Sequence, residues 1–312
     1  MNLIFCGTPQ FAVPTLEKLA AERFVVQLVV TNPDEPRGRG QKVQPSPVKE
    51  SAQKHGLEIY QPAKLKDPET QAFLSKYHPD VMVVVAYGHI IPQWMIDLPR
   101  LGCINLHASI LPKYRGAAPV AWALIRGDKE TGVTTMKIDA GMDTGDILFV
   151  RSEPIRNDDT TETLSERLSL GGADLMVETL RKLERGEIVS RPQDSRLATL
   201  APRLKKSDGR MDWARPATEL ARRVRGLAPW PGAYTTFRGK NLHLWRAEEV
   251  PASGGSQLAP GTVLIEGGRL AVASGEGTRL VLEEVQVEGR KRLSAREFLN
   301  GARVQPGEIL GS

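Results

Sequence analysis

At 312 residues the chain is longer than one hydrophobic core usually organises, so two domains are expected. With 40% apolar and 25% charged residues and no apolar run long enough to span a bilayer, the composition reads as soluble and globular and argues against a membrane protein. The net charge of +5 is unevenly placed: residues 1–204 hold 25 Lys+Arg against 25 Asp+Glu, and residues 205–312 hold 17 against 12. A neutral body with a basic appendage points to a polyanionic partner, the alternative being a merely soluble basic surface. Cys6 and Cys103 each stand inside an apolar run, which predicts small buried hydrophobes and a reduced, cytoplasmic chain. Met1 to Gly7 lacks a basic n-region and is too short for a secretory h-region, so no targeting signal is read there.

The first half alternates strand and helix signals. Asn2 to Cys6 is apolar, the turn Gly7-Thr8-Pro9 follows, Phe11 to Ala21 is helical, and Phe24 to Thr31 is continuous and β-branched. Further apolar runs at Asp80 to Ala86 and Cys103 to Leu106 extend this β-α-β rhythm. The expected fold class is α/β, a Rossmann-like, mostly parallel sheet with helices on both faces, whose ligands bind at the carboxyl ends of the strands. Residues 132–139 and 146–153 read as two more strands joined by a polar turn, Ala140 to Gly145. A long helix is predicted from about Asp159, with an Asp159 to Glu162 capping-box spacing, to Arg185, stopped at Gly186; Gly171-Gly172 in its middle has no sequence explanation. Residues 187–204, punctuated by Pro192 and Pro202, read as a linker between domains at 1–186 and 205–312. In the second domain a helix over 216–227 precedes short strands broken by Gly239, Gly254-Gly255, Gly267-Gly268 and Gly275-Glu276-Gly277. That pattern predicts a small antiparallel, OB-like barrel, with Ser253 to Ser256 as a loop.

The segment richest in chemistry is Gly102-Cys103-Ile104-Asn105-Leu106-His107-Ala108-Ser109-Ile110-Leu111-Pro112. Asn105 and His107 are two apart, so in an extended chain their side chains share a face at the carboxyl end of a buried strand. An amide and an imidazole aimed at one point can hydrogen-bond the oxyanion that forms when a carbonyl is attacked. Asn-x-His alone is weak evidence, and by itself reads more readily as a structural pair. Asp143, in the turn Gly141-Met142-Asp143-Thr144-Gly145-Asp146, can reach an imidazole or can hold its own turn by an Asx hydrogen bond, and the sequence leaves both open. Ser109 lacks a nucleophile-elbow context and neither cysteine has a basic neighbour, which disfavours covalent catalysis. His55, His78, His89, His107 and His243 lack ligand spacing, so no metal is expected. Gly7-Thr8-Pro9 lacks the further glycines of a dinucleotide turn and has no Walker lysine.

Phe5-Cys6-Gly7-Thr8-Pro9, Asn105-x-His107, Ser109-Ile110-Leu111-Pro112 and Asp143-Thr144-Gly145-Asp146 together resemble the folate-dependent formyltransferases. Pro33-Asp34 with Gly38-Arg39-Gly40, Pro45 to Lys49, Val83 to Gly88 and Arg115-Gly116-Ala117-Ala118-Pro119 resemble the branch acting on methionyl-tRNA. The match is thinner after residue 204, carried by Lys205, Asp212-Trp213 and Pro229-Trp230-Pro231. The resemblance implies a Rossmann-like catalytic domain, an OB-like C-terminal barrel, 10-formyltetrahydrofolate as donor and initiator methionyl-tRNA as acceptor. It also implies Asn105, His107 and Asp143 as a catalytic trio and Ser109, Ile110, Leu111 and Pro112 at the folate. Ala108 and Ile110 stand where glycine and leucine are commoner in that family, which bears on pocket shape.

For the acceptor, residues 37–49 carry Arg37, Arg39, Lys42 and Lys49 with no acid, in what reads as a glycine- and proline-rich loop able to wrap an RNA stem. Lys205, Lys206, Arg222, Arg223 and Arg225 are the expected phosphate contacts of the basic domain. A monomer is expected. Two rivals stand beside this reading: a formyltransferase or formyltetrahydrofolate hydrolase acting on a small amine or water, and a non-catalytic tRNA-binding module.

Overall fold

The computed structural model describes residues 1–37, 42–250 and 258–311, without the side chains of Arg37 and Lys42. The elements run β1 (Asn2–Gly7), α1 (Val13–Ala21), β2 (Val25–Val30), β3 (Glu35–Arg37), β4 (Lys42–Gln44), α2 (Pro47–Lys54), β5 (Ile59–Tyr60), α3 (Pro68–Leu74), β6 (Val81–Val85), α4 (Gln93–Ile96) and β7 (Cys103–His107). Then come α5 (Pro119–Arg126), β8 (Glu130–Lys137), β9 (Ile147–Pro154), α6 (Thr161–Glu184) and α7 (Ala217–Gly226). The chain finishes with β10 (Ala233–Phe237), β11 (Lys240–Val250), β12 (Val263–Glu266), β13 (Arg269–Ala273), β14 (Arg279–Val287), β15 (Leu293–Ser294) and α8 (Ala295–Ala302). Contacts cluster into two units, one of Met1–Pro119, Glu130–Pro154 and Ser165–Pro202, the other of Val120–Lys129, Ile155–Leu164 and Arg203–Ser312.

The first unit holds a seven-stranded sheet ordered β5-β2-β1-β6-β7-β8-β9. Pairing is parallel from β5 through β7 and antiparallel for β8 and β9. The parallel strands are β-branched and apolar because both their faces are covered. Ile4, Cys6, Val84 and Cys103 pack with Leu74 of α3 and Met95 of α4, while Leu3, Phe5, Val83 and Val85, which alternate with them, are equally buried. Both cysteines are free and buried; burial pushes the Cys103 thiol up to about 12 and raises that of Cys6.

In the second unit the sheet is antiparallel, ordered β10-β11-β14-β13-β12 with β15 on β14. Its strands alternate: Ala233, Thr235 and Phe237 of β10 and Leu242 and Leu244 of β11 point into the core, and the residues between them do not. Among the described residues no helix is long and apolar enough to cross a membrane.

The structure amends several sequence expectations. The long helix begins at Thr161, with the reciprocal cap made one residue late, by Thr160 and Thr163, each accepting from the other's N–H (3.3 and 3.0 Å). Asp159 instead turns inward, taking the Arg156 N–H at 2.7 Å. Residues 37–49 are not one loop: Lys42–Gln44 pairs antiparallel with Glu35–Arg37, and the first turn of α2 follows, started by Ser46, whose hydroxyl accepts the Lys49 N–H. Gly254-Gly255 and the Ser253 to Ser256 loop lie outside the described residues. Nor is 187–204 a free linker. Arg191 exchanges both backbone hydrogen bonds with Ile147, and Thr199 and Ala201 bond Tyr114, Arg115 and Ala118, so this segment is a strap along the first unit.

Gly171-Gly172 also acquires a reason. A Cβ on Gly172 would stand 2.7 Å from Leu106 Cδ2, so the missing side chain lets α6 lie directly against β7. The Gly171 carbonyl accepts from Arg151 Nη1 at 3.1 Å. Leu106 is 3% exposed, so its terminal methyl would have to shift inside packed surroundings, and Gly172→Ala is expected to cost about 1–3 kcal/mol despite alanine's better helix propensity. Urea unfolding checks this; unchanged or increased stability would show that the contact is slack.

Candidate active site

Asn105 and His107 occupy one face of β7, next to Val84 of β6 and beside Met136 and Thr134 of β8. The opposite face, Ile104 and Leu106, is the one under α6. The pair therefore sits at the carboxyl end of the last parallel strand, where the strand direction changes. His107 is 6% exposed and Asn105 half-buried. Among the described residues the Asn105 amide has no hydrogen-bond partner, so its donors and acceptor remain open for a ligand.

The imidazole is held from two sides. His107 Nε2 lies 2.9 Å from the Tyr114 carbonyl, and because a carbonyl only accepts, Nε2 carries a proton. Nδ1 faces Asp143 Oδ2 at 3.7 Å, too long for a direct hydrogen bond. The Tyr114 carbonyl thus fixes the tautomer, and Asp143 stands as a countercharge beside Nδ1. Tyr114 and Asp143 both have left-handed backbone, φ 62° and 55°. Such conformations cost on the order of 1 kcal/mol each and persist where surrounding structure imposes them.

That surrounding structure is visible. Asp143 does not hold its own turn: Asp139 does, its Oδ1 accepting from the Gly141 N–H at 3.0 Å and the Thr144 hydroxyl at 2.7 Å. The Asp143 carboxylate instead accepts the Gly116 N–H at 2.8 Å, which closes the Asx-turn alternative. From the strap, Gln193 Nε2 donates to the Asp143 and Gly145 carbonyls at 2.9 and 2.7 Å. Gln193 Oε1 accepts from Arg115 Nε and Nη2 at 3.1 and 2.8 Å, and Arg115 is only 8% exposed. Gly116, at φ 119°, passes so close to the Ala201 carbonyl that a Cβ would lie 2.7 Å from its oxygen. Sequence reasoning missed Tyr114, Arg115, Gly116 and Gln193 as site supports; the run Arg115-Gly116 was visible as a motif, whereas Gln193 carried no signal.

Ser109 to Pro112 form the turn after β7. Ser109 is fully buried, donating to the Lys113 carbonyl, and the Thr134 hydroxyl bridges the Ser109 carbonyl and the Leu111 N–H. Leu111 packs on Met136 and Ile147, leaving Ile110 and Pro112 as the half-exposed apolar members of the turn.

The cationic residues divide. Arg39 and the side chains of Arg37 and Lys42 lie outside the described residues. Lys49 is committed to Asp34 at 2.6 Å, and that hydrogen bond, with one from Gln61, holds the Asp34 carboxyl below the usual range. Arg223 and Arg225 donate to the Asp208 and Asp159 carbonyls at 2.6 and 3.0 Å, and burial lowers both guanidinium pKa values. Arg222 is half-buried against Gly127. Lys205 and Lys206 are exposed.

Known proteins share this framework. The family profile described as formyl transferase matches residues 1–180, and that of the formyl transferase C-terminal domain matches 203–303. A methionyl-tRNA formyltransferase of Koribacter versatilis is 53% identical over all of this chain and 99% of its own length. One from Solibacter usitatus is 54% identical, again over 100% and 99%. Among solved structures, an N-formyltransferase from Helicobacter canadensis, in complex with folinic acid and dTDP-3-aminofucose, superposes with a TM-score of 0.66 at 17% identity, over 90% of this chain and 98% of that one. HypX from Aquifex aeolicus, in complex with tetrahydrofolic acid, gives 0.61 at 17% identity, over 100% of this chain and 50% of its own. At such identities these two show the fold alone, whereas the full-length relatives show more: the chain belongs to the formyl transferase family, on the branch of the methionyl-tRNA formyltransferases.

Proposed function

We propose that the chain transfers the formyl group of 10-formyltetrahydrofolate to the α-amino group of initiator methionyl-tRNA, in the cytoplasm and as a monomer. The observation that carries this reading is the open amide of Asn105 beside a buried imidazole whose Nδ1 faces a carboxylate. The half-exposed Ile110 and Pro112 offer apolar surface to a folate ring, with Ser109 and Leu111 bracing their turn. Residues 1–186 serve as the catalytic domain, joined through 187–204 to an OB-like tRNA-contacting domain at 205–312.

The amine nitrogen bonds to the formyl carbon while the Asn105 amide donates to the oxyanion that develops. His107 Nδ1, the bare nitrogen of the neutral ring, takes the proton released by the amine. The resulting imidazolium stands against Asp143, and the same proton passes to the folate nitrogen as its bond to carbon breaks. No covalent enzyme intermediate is required, because holding two reactants in register is worth on the order of 7–11 kcal/mol. Lys205, Lys206, Arg37, Arg39 and Lys42 meet tRNA phosphates. Lys49, Arg223 and Arg225, spent on internal partners, act through structure.

The test is an acceptor assay with formyl-folate against charged initiator tRNA, a sugar amine, glycinamide ribonucleotide and water. N-formylmethionine is expected from the tRNA alone, with the reaction weakening steeply as salt rises. Faster transfer to a small amine or to water would replace this reading by its rival.

A further inference from the structure

The second unit carries a surface that the basic-residue reading did not include. On the outer face of its sheet Tyr234, His243 and Gln286 form one cross-strand row, and Trp245 follows His243 on the same face. The rings make a column: Tyr234 to His243 at 6.1 Å, then His243 stacked on Trp245 at 6.2 Å. The guanidinium of Arg292 caps the Trp245 ring at 4.0 Å. Trp245 Nε1 donates to Gln286 Oε1, and Gln286 Nε2 donates to the Arg290 carbonyl at 2.8 Å, which ties the turn Arg290-Lys291-Arg292 to the column. Arg290 and Lys291 are exposed, and among the described residues neither has an ion-pair partner. Arg210, whose backbone bridges Tyr234, is exposed as well. The neighbouring acids Glu283 and Glu284 are paired, with Arg246 and Arg292 respectively.

A sheet needs no such column on its solvent side: the buried alternates Thr235, Leu242, Leu244 and Val285 already form the core. Aromatic rings beside exposed cations that lack an ion-pair partner among the described residues, here Arg290, Lys291 and Arg210, are the chemistry that receives bases by stacking and phosphates by charge. We propose that this face, Tyr234-His243-Trp245 with the turn Arg290 to Arg292, receives unstacked nucleotides of the tRNA. The proposal rests on the reading of tRNA as the acceptor. It moves the main RNA contact of the second unit away from Arg223 and Arg225, which donate to carbonyls within the fold.

The test is equilibrium binding of initiator tRNA by filter retention over a salt series, with formyl transfer measured alongside. Trp245→Ala is expected to weaken binding about ten-fold, and Trp245→Phe, which keeps a stacking ring, to restore most of it. Arg290→Glu with Lys291→Glu changes only exposed side chains, so it reports even if Trp245→Ala misfolds. It should flatten the slope of log affinity against log salt by about 1 to 2. The Michaelis constant for formyl-folate should stay unchanged in all three. Wild-type affinity and salt slope in the double charge reversal, or a wild-type chain that binds no tRNA, would overturn the proposal. Variants that lose tRNA binding in a chain that transfers no formyl group to it would uphold this face and sink the acceptor reading alone.

Discussion

Asn105→Ala is expected to lower kcat about 100- to 1000-fold while the affinity for tRNA and the unfolding midpoint stay at wild-type values, the effect typical of removing one preorganised oxyanion donor. The reasoning is specific to this amide. It lacks an internal partner, so its loss strands no buried group, and β7 is held by its neighbours β6 and β8 rather than by this side chain. Asp143→Asn is the companion experiment. Its oxygen still accepts the Gly116 N–H, so the turn survives, but the countercharge opposite Nδ1 is gone. Turnover should fall without loss of stability. Rapid-quench transfer with saturating substrates reads both, and near-normal turnover in either variant would remove that residue from the chemistry.

The second large effect is expected at Gln193, which no catalytic role requires. Gln193→Leu strands the Arg115 guanidinium in a largely buried place and leaves the Asp143 and Gly145 carbonyls without donors. A buried charge losing its acceptor costs about 2–4 kcal/mol. Because the same bonds hold the left-handed Asp143, turnover should drop about 10- to 100-fold as the carboxylate drifts. Gln193→Glu separates the two effects. It keeps an acceptor for Arg115 and so should lose less stability than Gln193→Leu, yet it cannot donate to either carbonyl and should lose turnover as fully. Equal losses of stability and turnover in both variants would make Gln193 a packing residue rather than a positioning one.

How far the chain could be read in advance varies with the physics of each part. The β-α-β rhythm was legible because buried parallel strands need continuous apolar runs, and β1, β2, β6 and β7 supply them. That Asn105 and His107 share a face follows from the two-residue period of a strand. What resisted reading were contacts between segments far apart in the chain. Tyr114 reaches His107 through its carbonyl, which every residue possesses, and Gln193 reaches Asp143 across fifty positions. The strap from Arg191 to Ala201 looked like a linker because its pairing partners, Ile147 and Arg115, lie on other segments. Lys49, Arg223 and Arg225 read as phosphate contacts because side-chain charge is visible in a sequence, whereas their hydrogen bonds to a distant carboxylate or carbonyl are not. Gly172 had no local reason either; the side chain it spares is Leu106, between the two residues that the site depends on.

The decisive measurement is a crystal structure of the protein soaked with a stable formyl-folate. The formyl oxygen should lie within hydrogen-bonding reach of Asn105 Nδ2, its carbon facing His107 Nδ1. A folate bound with that carbon on any other side chains would contradict the mechanism at its root.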